Sequence, residues 1–119
     1  MKLRIKSNSL RYRLTRTDVD RFKAEGYVEE QINFAGRPFI YALQLTEGEH
    51  LTASYIDDKI TLSMPHKMID ELSETDKVGF ENYDGELHLL VEKDFVCLDE
   101  VAEDQSDNYP NPLANKIKI

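Results

Sequence analysis

Apolar residues recur in the same order twice along this chain, fifty positions apart. Leu10-Arg-Tyr-Arg-Leu14, then Val19, Phe22 and Val28, aligns with Ile60-Thr-Leu-Ser-Met64, then Ile69, Leu72 and Val78, apolar on apolar throughout. Alternation with period two marks a strand with one buried face, and the three-residue step that follows marks a short amphipathic helix. Each copy reads as ββαββ. A unit this small cannot bury its own core, so the two halves must complete each other.

In the first copy, Met1 to Lys6 alternates Leu3 and Ile5 on a buried face with Lys2, Arg4 and Lys6 outside. Ser7-Asn8-Ser9 supplies turn-forming side chains, and Leu10, Tyr12 and Leu14 resume the alternation against Arg11 and Arg13. Thr15 or Thr17 suits a helix N-cap, Asp18 and Asp20 suit the positive end of the helix dipole, and Gly26 suits its C-terminus. Strands over Tyr27 to Phe34 and Phe39 to Leu45 are expected to pair across Ala35-Gly-Arg-Pro38.

The second copy opens with a strand from Leu51 to Ile56, a turn at Asp57-Asp58-Lys59 and a buried face of Ile60, Leu62 and Met64. Pro65 belongs in the first turn of a helix, Met68, Ile69 and Leu72 follow at helical spacing, and Ser73 to Asp76 ends the helix without glycine. Asp84-Gly85 predicts a hairpin between Val78 to Tyr83 and Glu86 to Phe95. The fold expected is α+β and β-rich: a pseudo-two-fold barrel of two ββαββ repeats, residues 2–46 and 51–95, within a single domain 1–98. Val19 with Phe22 and Met68 with Leu72 cap it, and residues 99–119 form an extended, acidic, proline-bearing tail.

The second copy, Lys59-Ile-Thr-Leu-Ser-Met-Pro-His-Lys-Met-Ile-Asp-Glu-Leu, with Asp76-Lys-Val-Gly-Phe-Glu and Asp84-Gly-Glu-Leu-His-Leu, resembles the AbrB and MazE swapped-hairpin pattern. The first copy's Asn8-Ser-Leu-Arg-Tyr-Arg-Leu is similar to the opening strand of that family. The resemblance implies a fused pseudo-dimer, because members of that type interleave hairpins from two subunits into one barrel and present basic loops to DNA. The second copy instead carries Asp57, Asp58 and Lys59 in the corresponding loop. As a whole, from the basic opening Arg4-Ile-Lys-Ser-Asn-Ser-Leu-Arg to Glu103-Asp-Gln-Ser-Asp-Asn-Tyr-Pro-Asn-Pro112, the chain resembles a family of small bacterial proteins of unknown function.

The total charge of −8 conceals a strong asymmetry. Residues 1–23 hold eight basic and two acidic side chains, whereas the other 96 hold seven basic and 21 acidic ones. No apolar run reaches the length of a membrane span, and the basic N-terminal residues precede no apolar stretch, so a cytoplasmic, soluble protein without membrane partners is expected. One cysteine, Cys97, excludes an internal disulfide and reads as a small buried hydrophobe. No nucleophile elbow, phosphate-binding loop or zinc-protease motif is present, and His50, His66 and His88 share no ligand spacing. A non-enzymatic protein with no cofactor is the expectation.

Three surfaces carry candidate chemistry. The first is the basic hairpin, where Arg4, Lys6, Arg11, Arg13 and Arg16 contact anions or nucleic acid, although net negative charge disfavours a polyanion at range. The second is a latch, Tyr109, Pro110 and Pro112, a stiff extended segment with one aromatic anchor. The third is a carboxylate set, Glu103, Asp104 and Asp107, able to hold a hard cation but without the spacing of a calcium loop. The leading expectation is a binding or regulatory module whose basic hairpin meets a protein partner, a second copy or its own tail. The alternatives are an AbrB- or MazE-like nucleic-acid-binding regulator and a metal-binding protein.

Overall fold

The computed structural model describes residues 1–95 and 105–111. Its elements are β1 (Lys2–Lys6), β2 (Ser9–Leu14), α1 (Arg16–Glu25), β3 (Tyr27–Phe34), β4 (Arg37–Thr46), β5 (Thr52–Ile56), β6 (Lys59–Pro65), α2 (His66–Glu74), β7 (Gly79–Asp84) and β8 (Leu87–Lys93). The order ββαββ occurs twice. The strands form two four-stranded sheets, ordered β1-β2-β8-β7 and β3-β4-β6-β5. No ladder joins the sheets among the described residues, so the architecture is a pair of open sheets and not the closed barrel expected from the sequence.

Each half contributes one hairpin to each sheet. The two parallel ladders, β2 on β8 and β4 on β6, are where the halves meet. Between the sheets lies one apolar core that draws Leu10, Tyr12 and Leu14 from β2, Leu43 from β4, Leu62 and Met64 from β6, and Leu89 and Val91 from β8. Val19 and Phe22 of α1 and Ile69 and Leu72 of α2 close it at one end, with Met68 only half-buried. Tyr12 and Tyr41 meet edge to face across the sheets, their ring centroids 6.1 Å apart.

The antiparallel registers repeat at fifty residues: Lys2 faces Arg13 as Thr52 faces Ser63, and Glu29 faces Ala42 as Gly79 faces Glu92. The parallel ladders do not. His88 N–H donates to Asn8 O at 2.9 Å. The corresponding bond would run from position 38 to Asp58 O, but Pro38 has no N–H to give. The ladder therefore shifts two residues, and Ile40 N–H donates to Asp58 O at 3.0 Å. A two-residue shift keeps every side chain on its face, which a one-residue shift would not.

The hairpin turns are tighter than the sequence suggested. Ala35 and Gly36, both at positive φ, make a two-residue turn, so Arg37 and Pro38 belong to β4. Asp57 and Asp58 do the same work without glycine, and Lys59 starts β6. Gly85 and Glu86 form the last turn, one residue later than Asp84-Gly85, which lets Leu89 and Val91 face inward. Pro65 ends β6 as the N-cap of α2 and offers no side-chain cap.

Ile5 and Val78, both apolar positions of the repeated pattern, miss the core. Ile5 lies at the end of edge strand β1, where the sheets splay apart, and is 58% exposed. Val78 precedes β7 and is 48% exposed, unlike its counterpart Val28, which is buried. Val28 faces Leu43, but the matching partner of Val78 is Lys93. The Lys93 ammonium turns inward and donates to Thr75 O, the C-cap carbonyl of α2, at 2.9 Å. Where α1 ends on Gly26 in the left-handed conformation, α2 has no glycine, and a cation at the negative end of its dipole takes over. Burial pushes that ammonium below the ordinary lysine range.

Because the halves exchange hairpins, Leu14→Ala and Leu62→Ala should each lower stability by about 2–5 kcal/mol. Each variant should also retain a single unfolding transition in calorimetry and in urea; two resolved transitions would contradict the shared core.

Tyr12 gives a second expectation. Its hydroxyl is buried without a hydrogen bond; the Ala42 backbone approaches it but lacks the geometry. Burial holds its ionisation far above the ordinary tyrosine value. The folded state thus keeps this proton when the unfolded chain releases it, and stability should decline as pH rises past about 10. Tyr12→Phe should leave neutral-pH stability unchanged or raise it by up to about 1 kcal/mol, and should shallow that alkaline decline, as read by urea midpoints between pH 8 and 11.

Candidate binding surface

Strand alternation sends every second residue of the first sheet to its outer face. On β1 these are Lys2, Arg4 and Lys6, and on β2 they are Ser9, Arg11 and Arg13, with Lys2 directly opposite Arg13 and Arg4 directly opposite Arg11. Like charges facing each other across a ladder destabilise a sheet by a few tenths of a kcal/mol per pair or more. The charge then changes sign across the sheet. Beyond β2 come His88 and Glu92 on β8, and Glu81 on β7.

Part of the cationic charge is answered internally. Arg11 Nε lies 3.2 Å from Glu92, and Lys2 Nζ lies 3.3 Å from the buried carboxylate of Asp94, close enough to pair but without hydrogen-bond alignment. Arg4, Lys6 and Arg13 have no ion pair with any described residue. Arg4, Lys6, Ser9 and Arg11 surround a shallow cavity of about 130 Å³, the size of a single anionic group and its water. On the acidic side, His88 stacks on Tyr83 with centroids 4.3 Å apart and meets Glu81 at 2.7 Å. That pairing makes His88 part of a surface cluster.

Arg16 does not join this face. It is the first residue of α1, and its guanidinium sits 5.7 Å above the Tyr109 ring. The arrangement around it begins with the helix terminus. Thr15 caps α1, its hydroxyl accepting from Asp18 N–H while Asp18 accepts from Thr15 N–H. Two further orphan donors are met by the C-terminal segment: Arg16 N–H donates to Asp107 O at 3.1 Å, and Thr17 N–H and hydroxyl donate to the Asp107 carboxylate at 3.3 and 2.9 Å.

The neighbouring residues complete this junction. Tyr109 N–H donates to Asp94 O at 2.8 Å, and its ring lies between Arg16, Phe95 and the Lys93 ammonium, 4.9 Å away. Asn108 is buried and Pro110 is exposed. A cavity of about 260 Å³ runs from Lys2 and Arg13 to Asp94, Phe95 and Asn108, linking the cationic face to this junction.

Of the residues singled out by sequence, Arg4, Lys6, Arg11 and Arg13 lie together, Arg16 and Tyr109 lie together elsewhere, and Asp107 supports the second group. Its carboxylate is committed to α1. Glu103, Asp104, Pro112 and Cys97 lie outside the described residues. Among the described residues no three His, Cys, Asp or Glu side chains gather as a metal site. Lys93 and Asp94 escaped the sequence reading, although a lysine continuing the inward alternation of Leu89 and Val91 was the available signal.

Fold and surface together define a small β-rich α+β protein with one cationic sheet face. The chain belongs to a family of unknown function, DUF7009, which matches residues 1–113. No curated protein and no solved structure matches it, so the resemblance to the AbrB and MazE pattern is not shown. No helix of the described residues is long and apolar enough to cross a membrane.

Hydrogen bonds from Thr15 and Thr17 hold the Asp107 carboxylate below its ordinary value. Its contribution is therefore present above the usual aspartate pKa of about 3.9 and is lost as pH falls through the lower folded value. Amide-exchange protection at Arg16 and Thr17, taken relative to the intrinsic rate at each pH, should fall on acidification below pH 4, and Asp107→Ala should show the lower protection already at pH 6. Unchanged exchange in that variant would mean the segment does not protect the helix end.

Proposed function

We propose that this chain is a non-enzymatic protein-binding module that receives an acidic partner on the outer face of β1 and β2. The observation that carries this reading is the pair of unfavourable cross-strand oppositions, Arg4 on Arg11 and Lys2 on Arg13, in a face where Arg4, Lys6 and Arg13 have no ion pair with any described residue. Such a face is stabilised by a carboxylate-bearing partner. Because the whole chain carries −8, a long polyanion is repelled at range while a local acidic patch is not.

A second reading has one observation in its favour. Each half supplies a hairpin to both sheets, with antiparallel registers recurring at fifty residues, as a fused pseudo-dimer of the swapped-hairpin kind would have it. On that reading the repeated ββαββ units descend from two interleaved subunits, and Arg4, Lys6, Arg11 and Arg13 contact nucleic-acid phosphates.

Binding experiments separate the two. A labelled octaglutamate should bind at low ionic strength, weaken as salt rises, and lose about tenfold or more in affinity in Arg4→Ala/Arg11→Ala. Random duplex DNA should give no mobility shift at the same salt. A shift that the double variant abolishes, with no glutamate binding, would reverse the assignment.

A further inference from the structure

The two seams between the sheets are built from matching positions but closed differently. At the seam of β5 and β7, Asn82 Nδ2 donates to Leu51 O at 2.8 Å, and Asp84 accepts from Ala53 N–H at 3.1 Å. Side chains thereby meet one outward backbone group of edge strand β5, the Ala53 N–H, and one just before it, the Leu51 carbonyl. At the seam of β1 and β3, fifty residues earlier, Ile32 stands for Asn82 and Phe34 for Asp84. Neither can donate or accept. They are 47% and 61% exposed, although their side chains continue the inward-facing alternation of β3.

The backbone of β1 is left open in consequence. A two-residue turn makes Lys6 and Ser9 a hydrogen-bonded pair, so the alternation of an antiparallel ladder aims the N–H and C=O groups of Leu3 and Ile5 away from β2. The Met1 carbonyl is taken by the Tyr41 hydroxyl at 3.1 Å, and the free stretch begins beyond it. Among the described residues, none bonds the outward groups of Leu3 or Ile5. On one side of this edge stand Lys2, Arg4 and Lys6. On the other, an apolar cavity of about 280 Å³ opens beside Ile5, walled by Leu10, Phe39, Tyr55, Ile60 and Leu87.

We propose that the edge of β1 takes an extended segment of another protein by strand addition, and that this segment alternates acidic with apolar side chains. The inference rests on the acidic-partner reading above and specifies its mode. An added strand would pair its backbone with Leu3 and Ile5. Its carboxylates would then fall beside Lys2, Arg4 and Lys6, and its apolar side chains beside Ile5, Ile32 and Phe34, because successive residues of a strand face opposite ways. A second copy is the wrong occupant, since pairing β1 with β1 would bring the same three cations against one another. The described C-terminal segment is also engaged elsewhere, at the start of α1.

Three labelled eight-residue peptides test this on the intact chain: alternating Glu and Val, the same composition as a block of Glu followed by a block of Val, and the alternating peptide with every second backbone nitrogen methylated on its pairing edge. The alternating peptide should bind about tenfold tighter than either control, because the methylated peptide loses a pair of hydrogen bonds and the block peptide cannot set carboxylates on one face and apolar side chains on the other. It should also slow amide exchange at Leu3 and Ile5. Equal affinity for all three, with no added protection, overturns strand addition while leaving the acidic-partner reading standing. Failure of every peptide to bind at low salt overturns both.

Discussion

The two parallel ladders between the halves are the constraint on which everything else depends. A lone ββαββ unit has one apolar face on each hairpin and nothing to cover either. Placing β2 beside β8 and β4 beside β6 gives each sheet four strands and brings both apolar faces onto one interior. The cost is topological: the pairings join distant parts of the chain, and neither half can keep its strands in place without the other.

That arrangement also distributes charge. The exchange sets the first hairpin, rich in Lys and Arg, beside the last, which carries Glu92 and Glu81 and is followed by Asp94. The outer face of the first sheet consequently runs from cationic to anionic across four strands. Arg11 and Lys2 find partners on the acidic side, while Arg4, Lys6 and Arg13 have no ion pair with any described residue. The opposite sheet has no comparable face, because its corresponding positions are Thr52, Ser54, Thr61 and Ser63.

The matching halves differ wherever a local problem needed a local answer. One helix ends on Gly26 and the other on a buried lysine. One helix start is capped by Thr15 and reinforced by Asp107, whereas the other begins at Pro65 with no side-chain cap. One seam is closed by Asn82 and Asp84 and the other is left apolar. The start of α1 and the open edge of β1 lie in the same half. The segment around Asp107 reinforces the first, and no described residue bonds the outward backbone of Leu3 or Ile5 in the second.

Much of this was legible in the sequence. Element order, a helix N-cap at Thr15 or Thr17, the Gly26 stop and the buried alternation of β2 and β6 all follow from local periodicity and backbone preference, which act over a few residues and leave their mark there. The cationic face was legible for the same reason, as Arg4, Lys6, Arg11 and Arg13 share the parity of two adjoining strands. Which strands became neighbours was not. Parallel pairing is decided by long-range burial, so the ladder shift imposed by Pro38, the inward turn of Lys93 and the docking of Asp107 on α1 appear only once distant segments meet. Two open sheets formed in place of a barrel because the seams between them are bridged by side chains or left unbridged, and alternation within a strand carries no information about what lies beyond its edge.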